Sequence, residues 1–323
     1  MASIAAVASS GASVEERAHA VIECFRAIVP FAAAALSIVD QVSGEHRTLV
    51  NHGYAPALAS YLTSPGRRRE VIEPFALPRR GWPLRRNDLT ADPGAVHEEW
   101  SRFHPAGLGE WLVSASVAGT GRHVAVIDMA LATGEELTEE ACAVIGLMAP
   151  TVAHLLDPLE SAAALAALLD SSATAIALMP DGSTIPLRDD GSDRARALEA
   201  LSLERALGEW TVPAAFLWPA APRIWLKCTM NACRDGVAVL IACDADVHAM
   251  TQRELEVLTC VIEGRTNAEI ATELSITVRT VKAHVGSILA KLGVHTRAGA
   301  AARGRQEGLV LPHALPQRHL ALA

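Results

Sequence analysis

Arg279, Lys282 and Lys291 fall within residues 278–292, a stretch that holds no acidic residue. Cations with no carboxylate among them suit contact with a polyanion, because bound Lys and Arg release the counterions condensed on phosphates. Lysine is scarce in this chain. Only Lys227, Lys282 and Lys291 occur in 323 residues, so two of the three stand here. Residues 250–310 carry eight Lys and Arg against six acids, residues 1–249 carry 19 against 30, and the whole chain has a formal charge of −8. An acidic remainder repels a polyanion and disfavours any other approach to it. A solvated basic helix face has the same composition, so charge alone leaves both readings open.

The elements that would position these side chains are legible around them. Thr251 followed by Glu254 forms a capping box ahead of Leu255, Leu258 and Ile262, and Gly264 is a natural C-cap. A second helix is expected over 267–274, burying Ile270, Ala271 and Leu274 and capped by Thr266 or Asn267. Residues 275–277 are long enough only for a turn, and Thr277 can cap a third helix. On that helix Val278, Val281, Val285, Ile288, Leu289 and Leu292 make one apolar stripe at 3.6 spacing. Arg279, Lys282, Ala283 and Gly286 take the opposite face, flanked by Thr280, His284 and Ser287. Small residues at 283 and 286 let a helix backbone sink into a major groove about 12 Å wide. Gly293 ends this helix and a fourth is expected over 297–307. Two helices on a three-residue turn, the second one basic, form a helix-turn-helix.

The same residues resemble the LuxR-type helix-turn-helix domain of bacterial transcription regulators. The matching pieces are Thr251-x-Arg253-Glu254, Val257-Leu258, Gly264-x-Thr266-Asn267-x-Glu269-Ile270-Ala271, Leu274, Thr280-Val281-Lys282-x-His284 and Lys291-Leu292-Gly293-Val294. So many pieces in the correct order are far more specific than a lone short motif. The resemblance covers about residues 248–310. It implies a third helix that reads the groove of double-stranded DNA and a fourth that supports a homodimer. It implies base or groove contacts from Lys282, Ala283 and Gly286, and phosphate contacts from Thr266, Asn267, Thr277, Arg279, Thr280, His284 and Lys291. Two positions depart from the pattern: Met250 stands where leucine is usual, and Gly286 where relatives often carry a polar or basic side chain. Base reading then rests on Lys282, with DNA shape or the dimer supplying the remaining specificity. His284 has the alternative of a plain surface histidine, and Lys291 that of complementing the helix dipole at its C-terminal end.

Length leaves room for two or three domains, and a composition that is 50% hydrophobic and 20% charged can bury their cores. No apolar run reaches about 18 residues without a charge or a breaker, so no membrane span is expected. Residues 1–13 lack a basic n-region and a sustained apolar core and read as a loose leader. Six cysteines with no pairing pattern suit a reducing cytoplasm.

From residue 14 to 156 the pattern predicts a helix over 14–29, strands over 33–39 and 46–52, and a helix over 55–62. An irregular segment over 64–105, with a short helix near 97–103, leads to strands over 110–118 and 123–132. A helix capped at Thr138 then runs to His154. Helix, hairpin, irregular crossing, hairpin, helix resembles a GAF-type sensor domain. That layout places a ligand pocket between the sheet and the irregular segment, for which Tyr54, Trp82, Trp100, Trp111 and His123 are the candidates; the alternative is that the tryptophans fill core or interface. Arg67-Arg68-Arg69, Arg79-Arg80 and Arg85-Arg86 are basic clusters able to hold an anion or to stand as exposed loop charges. Residues 159–169 form an alanine-rich amphipathic helix, with a kink at Asp157-Pro158. Strands over 173–179, 214–218, 223–232 and 237–243, with a helix near 193–208, resemble a small PAS-like module.

The expected fold class is therefore α+β and multidomain. A leader (1–13) precedes a GAF-like antiparallel sheet with flanking helices (14–157), a connecting helix (158–170) and a PAS-like α+β module (171–247). An all-α four-helix helix-turn-helix domain (248–310) and a tail (311–323) complete it. A phosphoacceptor receiver is excluded for the N-terminal region, which has no lysine before Lys227. No Gly-x4-Gly-Lys, Gly-x-Ser-x-Gly or His-Glu-x-x-His occurs, and Cys228, Cys233 and Cys243 match no zinc spacing. No enzyme activity, metal or cofactor is expected. The function implied is a cytoplasmic, sensor-controlled, DNA-binding transcription regulator acting as a homodimer, with a small-molecule effector at the N-terminal domain. Two alternatives stay open: a regulator whose helix-turn-helix docks RNA polymerase, and a ligand-binding protein that uses it as an interaction module.

Overall fold

The computed structural model describes residues 12–86, 88, 101–188, 214–221 and 224–312. The helix expected over 193–208, most of that near 97–103, and most of the leader and tail lie outside these residues. The chain divides into two compact units, Met1–Glu160 and Ser161–Ala323.

In the first unit, Ser13 and Glu16 close a capping box that starts helix α1 (Val14–Arg26), which turns Ala18, Val21, Ile22 and Phe25 inward. Strands β1 (Ala33–Val39) and β2 (His46–His52) follow, then helix α2 (Pro56–Leu62). Short helical turns over Pro65–Arg67, Arg68–Ile72 and Leu77–Arg80 lead to β3 (Leu84–Arg85). Strands β4 (Leu108–Val117) and β5 (His123–Ala132) and helix α3 (Glu139–Leu156) complete the unit. The sheet is antiparallel in the order β2-β1-β5-β4-β3.

Alternate residues of the central strands serve two cores, as a period of two requires. Ala34, Leu36, Leu112, Ile127 and Met129 face α1 and α3, whereas Ala33, Ala35, Trp111, Val113 and Val126 face the irregular segment and α2. This is the helix-hairpin-crossing-hairpin-helix layout expected of a GAF-like domain. β3 was not expected, because two residues are too short to show alternation. α3 is the one helix among the described residues long and apolar enough by composition to cross a bilayer. Its Ile145, Val152, Leu155 and Leu156 are buried in this core, and Pro150 lies inside it. At the expected kink, buried Asp157 accepts from Leu159 N (2.9 Å) and pairs with Arg122 (2.5 Å).

The second unit begins within helix α4 (Glu160–Ala167) and forms another five-stranded antiparallel sheet. Its strands are β6 (Thr174–Leu178), β7 (Thr184–Arg188), β8 (Ala214–Ala221), β9 (Ile224–Ala232) and β10 (Ala238–Asp244), in the order β7-β6-β10-β9-β8. Half-exposed β7, with Pro186 at its centre, gave no strand signal; proline is tolerated there because β7 is an edge strand. Four helices follow: α5 (Gln252–Ile262), α6 (Asn267–Glu273), α7 (Val278–Leu292) and α8 (Arg297–Glu307). Leu217 of β8 and Trp225 of β9 share one core with Leu255, Leu258, Val281, Ile288, Leu292 and Leu309. Leu217 N also donates to Val310 O at 2.8 Å. Leu217 and Trp225 thus pack on the helices beyond residue 247, while Ile176, Leu178, Leu226 and Leu240 form a separate core of the sheet.

Candidate nucleic-acid interface

The α6–α7 pair is built from caps. Thr266 Oγ1 accepts from Glu269 N (3.3 Å) while Glu269 Oε2 accepts from Thr266 N (2.6 Å), which starts α6. Thr277 Oγ1 accepts from Thr280 N (3.1 Å) and starts α7, after a turn in which Ser275 adopts a left-handed φ of 52°. Val281, Ile288 and Leu292 seat α7 in the core and Val285 and Leu289 are partly buried. Val278 departs from the expected stripe. It is 41% exposed, because it opens the first turn of the helix before α7 meets its neighbours.

Arg279, Lys282, Ala283 and Gly286 are all exposed on the face away from that core, and His284 and Thr280 flank them half-buried. A Cβ built on Gly286 meets nothing within 4 Å, so its neighbourhood is open space. Thr277 and Thr280 hold each other at 2.8 Å between hydroxyls, at the positive N-terminal end of α7. This surface offers two cations, Arg279 and Lys282, and a shallow, small-residue ridge to whatever approaches it.

Besides the threonines of the two caps, two of the residues assigned to phosphates have partners in other helices or loops. Lys291 donates to Glu254 Oε2 (2.7 Å) and to Ala249 O (2.9 Å). Asn267 Oδ1 accepts from Arg297 Nη1 (2.9 Å), which ties α6 to α8. Buried Glu254 is the hub that sequence reading did not find, having been seen only as a capping partner. Thr251 N (2.7 Å), Ser287 Oγ (2.5 Å) and Lys291 converge on its carboxylate. Burial pushes its carboxyl up, but hydrogen bonds from Lys291, Ser287 and Thr251 more than offset this and hold it at about 2. Lys291 lies 37 positions along the chain from Glu254, so no local pattern could reveal the pairing.

Of the described pocket candidates of the first unit, two come together and two stand elsewhere. Tyr54 and Trp111 are buried in the core beneath the irregular segment, packed on Phe103 with ring centroids 6.1 and 5.9 Å away. Trp82 is 41% exposed and lies against Gly146, and Trp100 is outside the described residues. His123 lines a cleft together with His46, which is not among the five. No cluster of three metal-ligating side chains occurs among the described residues.

Caps, turn length and the solvent-facing side of α7 define a helix-turn-helix domain. Residues 248–303 match the family described as bacterial regulatory proteins, luxR family, and this segment is a LuxR-type helix-turn-helix. It is 48% identical over 63 residues to the transcriptional regulatory protein LiaR of Bacillus subtilis, a match covering 20% of this chain and 30% of LiaR. It is 46% identical over 59 residues to the HTH-type transcriptional activator RamA of Corynebacterium glutamicum, covering 18% and 21%. The chain thus spans under a third of the length of either relative. Among solved structures, a GAF domain/HD domain protein from Geobacter sulfurreducens aligns over 47% of this chain and 97% of that one, at 13% identity and a TM-score of 0.36.

Proposed function

We propose that this chain is a transcription regulator that binds double-stranded DNA sequence-specifically as a homodimer, with α7 in the major groove. The observation that carries the reading is the α7 face. Arg279, Lys282, Ala283 and Gly286 stand exposed on a helix with no acid, next to a capped helix N-terminus. Lys282 and Gly286 contact bases or the groove floor; Thr266, Thr277, Arg279, Thr280 and His284 contact phosphates. Similarity to LiaR and RamA, both transcriptional regulators by name, supports it.

In this reading residues 14–157 form the sensor domain, 158–170 the connecting helix, 171–247 a PAS-like module and 248–310 the DNA-binding domain. A small-molecule effector acts at the sensor, and no catalytic step is assigned to any part. All six cysteines are unpaired, which supports a reducing, cytoplasmic setting. The test is to incubate the purified full chain with random duplex fragments and sequence those retained. The expected outcome is a two-fold-symmetric motif with half-sites about 10 base pairs apart, one helical turn. Retained fragments with no shared motif contradict sequence-specific binding, and a motif without two-fold symmetry contradicts the dimer.

A further inference from the structure

A cleft of about 370 Å³ opens in the first unit where β1 ends and the helical turns over Arg68–Ile72 and Leu77–Arg80 cross the sheet rim. That volume is at the lower end of small-molecule sites, roughly 300–1,000 Å³. Val39, Ile72, Ala76 and Pro78 give it apolar walls. Its charged lining is Arg68, Arg79 and Glu73. Arg68 Nε donates to Glu73 Oε1 (3.0 Å) and its Nη1 to Gly44 O (2.8 Å), which holds that guanidinium in place and neutralises the one acid. Exposed Arg79 pairs with no acid among the described residues. Arg67 is buried against Asp128 at 2.6 Å, so its charge is balanced from within. The uncompensated charge of the cleft is therefore positive.

Two imidazoles complete it. His46 and His123 meet edge to face, with ring centroids 5.7 Å apart. Burial, with Arg68 and Arg67 beside it, lowers His46 to about 4. Burial and the neighbouring His46 lower His123 to about 4 as well. Both rings are neutral near pH 7. Nε2 of His123 is buried with no hydrogen-bond partner among the described residues and, with the other ring nitrogen turned to the Ala125 backbone, presents a lone pair to the cleft.

We propose that this cleft binds a small organic carboxylate, its carboxylate on the Arg79 guanidinium and its apolar body against Val39, Ile72 and Pro78. The inference rests on the sensor part of the function proposed above and names the chemical class of its effector. A phosphate-sized anion leaves the apolar walls unfilled, and a neutral apolar molecule leaves Arg79 unanswered.

The test uses the full chain with three probes, benzoate, benzamide and inorganic phosphate, read by calorimetry and by the imidazole resonances of His46 and His123. Benzoate is expected to bind saturably below about 10 mM and to raise the two imidazole pKa values from about 4, since an anion favours the protonated ring. Benzamide and phosphate should each bind at least about tenfold more weakly. Arg79→Ala should weaken benzoate about tenfold at unchanged melting temperature, and Arg79→Lys should restore part of it. Equal binding of benzoate and benzamide overturns the proposal, as does phosphate binding as tightly as benzoate, full affinity in Arg79→Ala, or no saturation by benzoate. If Arg79→Ala fails to fold, the three-probe comparison on the unaltered chain decides alone. DNA retention, measured on the same sample without probes, tests the regulator reading separately.

Discussion

Lys291 Nζ lies 2.7 Å from Glu254 Oε2, joining the last turn of α7 to the first turn of α5 through a carboxylate that is 5% exposed. The pair ties the C-terminal end of α7 to the start of α5. Removing Lys291 leaves a buried carboxylate with two hydroxyls and a backbone N–H but no counter-charge. Lys291→Met is expected to destabilise the second unit by about 1–3 kcal/mol, below the 3–5 kcal/mol of fully buried pairs because the lysine is partly exposed. Chemical denaturation of the two proteins measures it; equal midpoints and slopes show that the pair contributes nothing.

The same carboxylate gives a pH signature. Its folded-state pKa, about 2, lies below the usual 4.5. The linked stability is therefore fully present above about pH 4.5 and is lost as pH falls toward 2. Glu254→Gln should flatten the stability profile between those limits, while both proteins keep the same slope from pH 6 to 8. A wild-type profile already flat between pH 4.5 and 2 contradicts the assignment.

Two glycines of the helical domain should respond in opposite ways. A Cβ on Gly304 falls 2.8 Å from Ile262 Cδ1 and 3.2 Å from Leu258 Cδ1, where α8 packs on α5. Gly304→Ala is expected to cost about 1–3 kcal/mol through overpacking. Gly286 has open space around it, so Gly286→Ala should stabilise α7 by about 0.5–1 kcal/mol. If the bare backbone at 286 serves close approach to the groove floor, this more stable variant binds its operator more weakly. Thermal melts and mobility shifts on both variants decide it; a Gly286→Ala protein that is more stable and binds equally well removes residue 286 from the interface.

Much of this was readable before any coordinates, for a physical reason. β1 and β5 coincide with the expected strands because they are apolar runs buried on both faces, and half-exposed β2 is bounded by the turn before it and Gly53 after it. The caps of α5, α6 and α7 announced themselves as Thr-x-x-Glu or Thr before an apolar run. β3, with two residues, and β7, with a proline at its centre, carry no such signal. Nor does periodicity distinguish an aromatic that lines a pocket from one that fills a core. Tyr54 and Trp111 are core, while the cleft is lined by His46, His123 and arginines brought together from three separate segments. The roles of Glu254 and Asn267 depend on partners 37 and 30 residues away, visible only once the helices are packed.

The central claim is that the exposed face of α7 sits against duplex DNA, and Lys282 tests it most directly. It is exposed on that face, so Lys282→Ala should leave the melting temperature unchanged. A mobility-shift titration on the selected operator at moderate salt should show affinity reduced about tenfold to hundredfold, with a shallower dependence on salt as one fewer cation meets the duplex. Wild-type affinity and salt dependence in a folded Lys282→Ala protein would contradict the account.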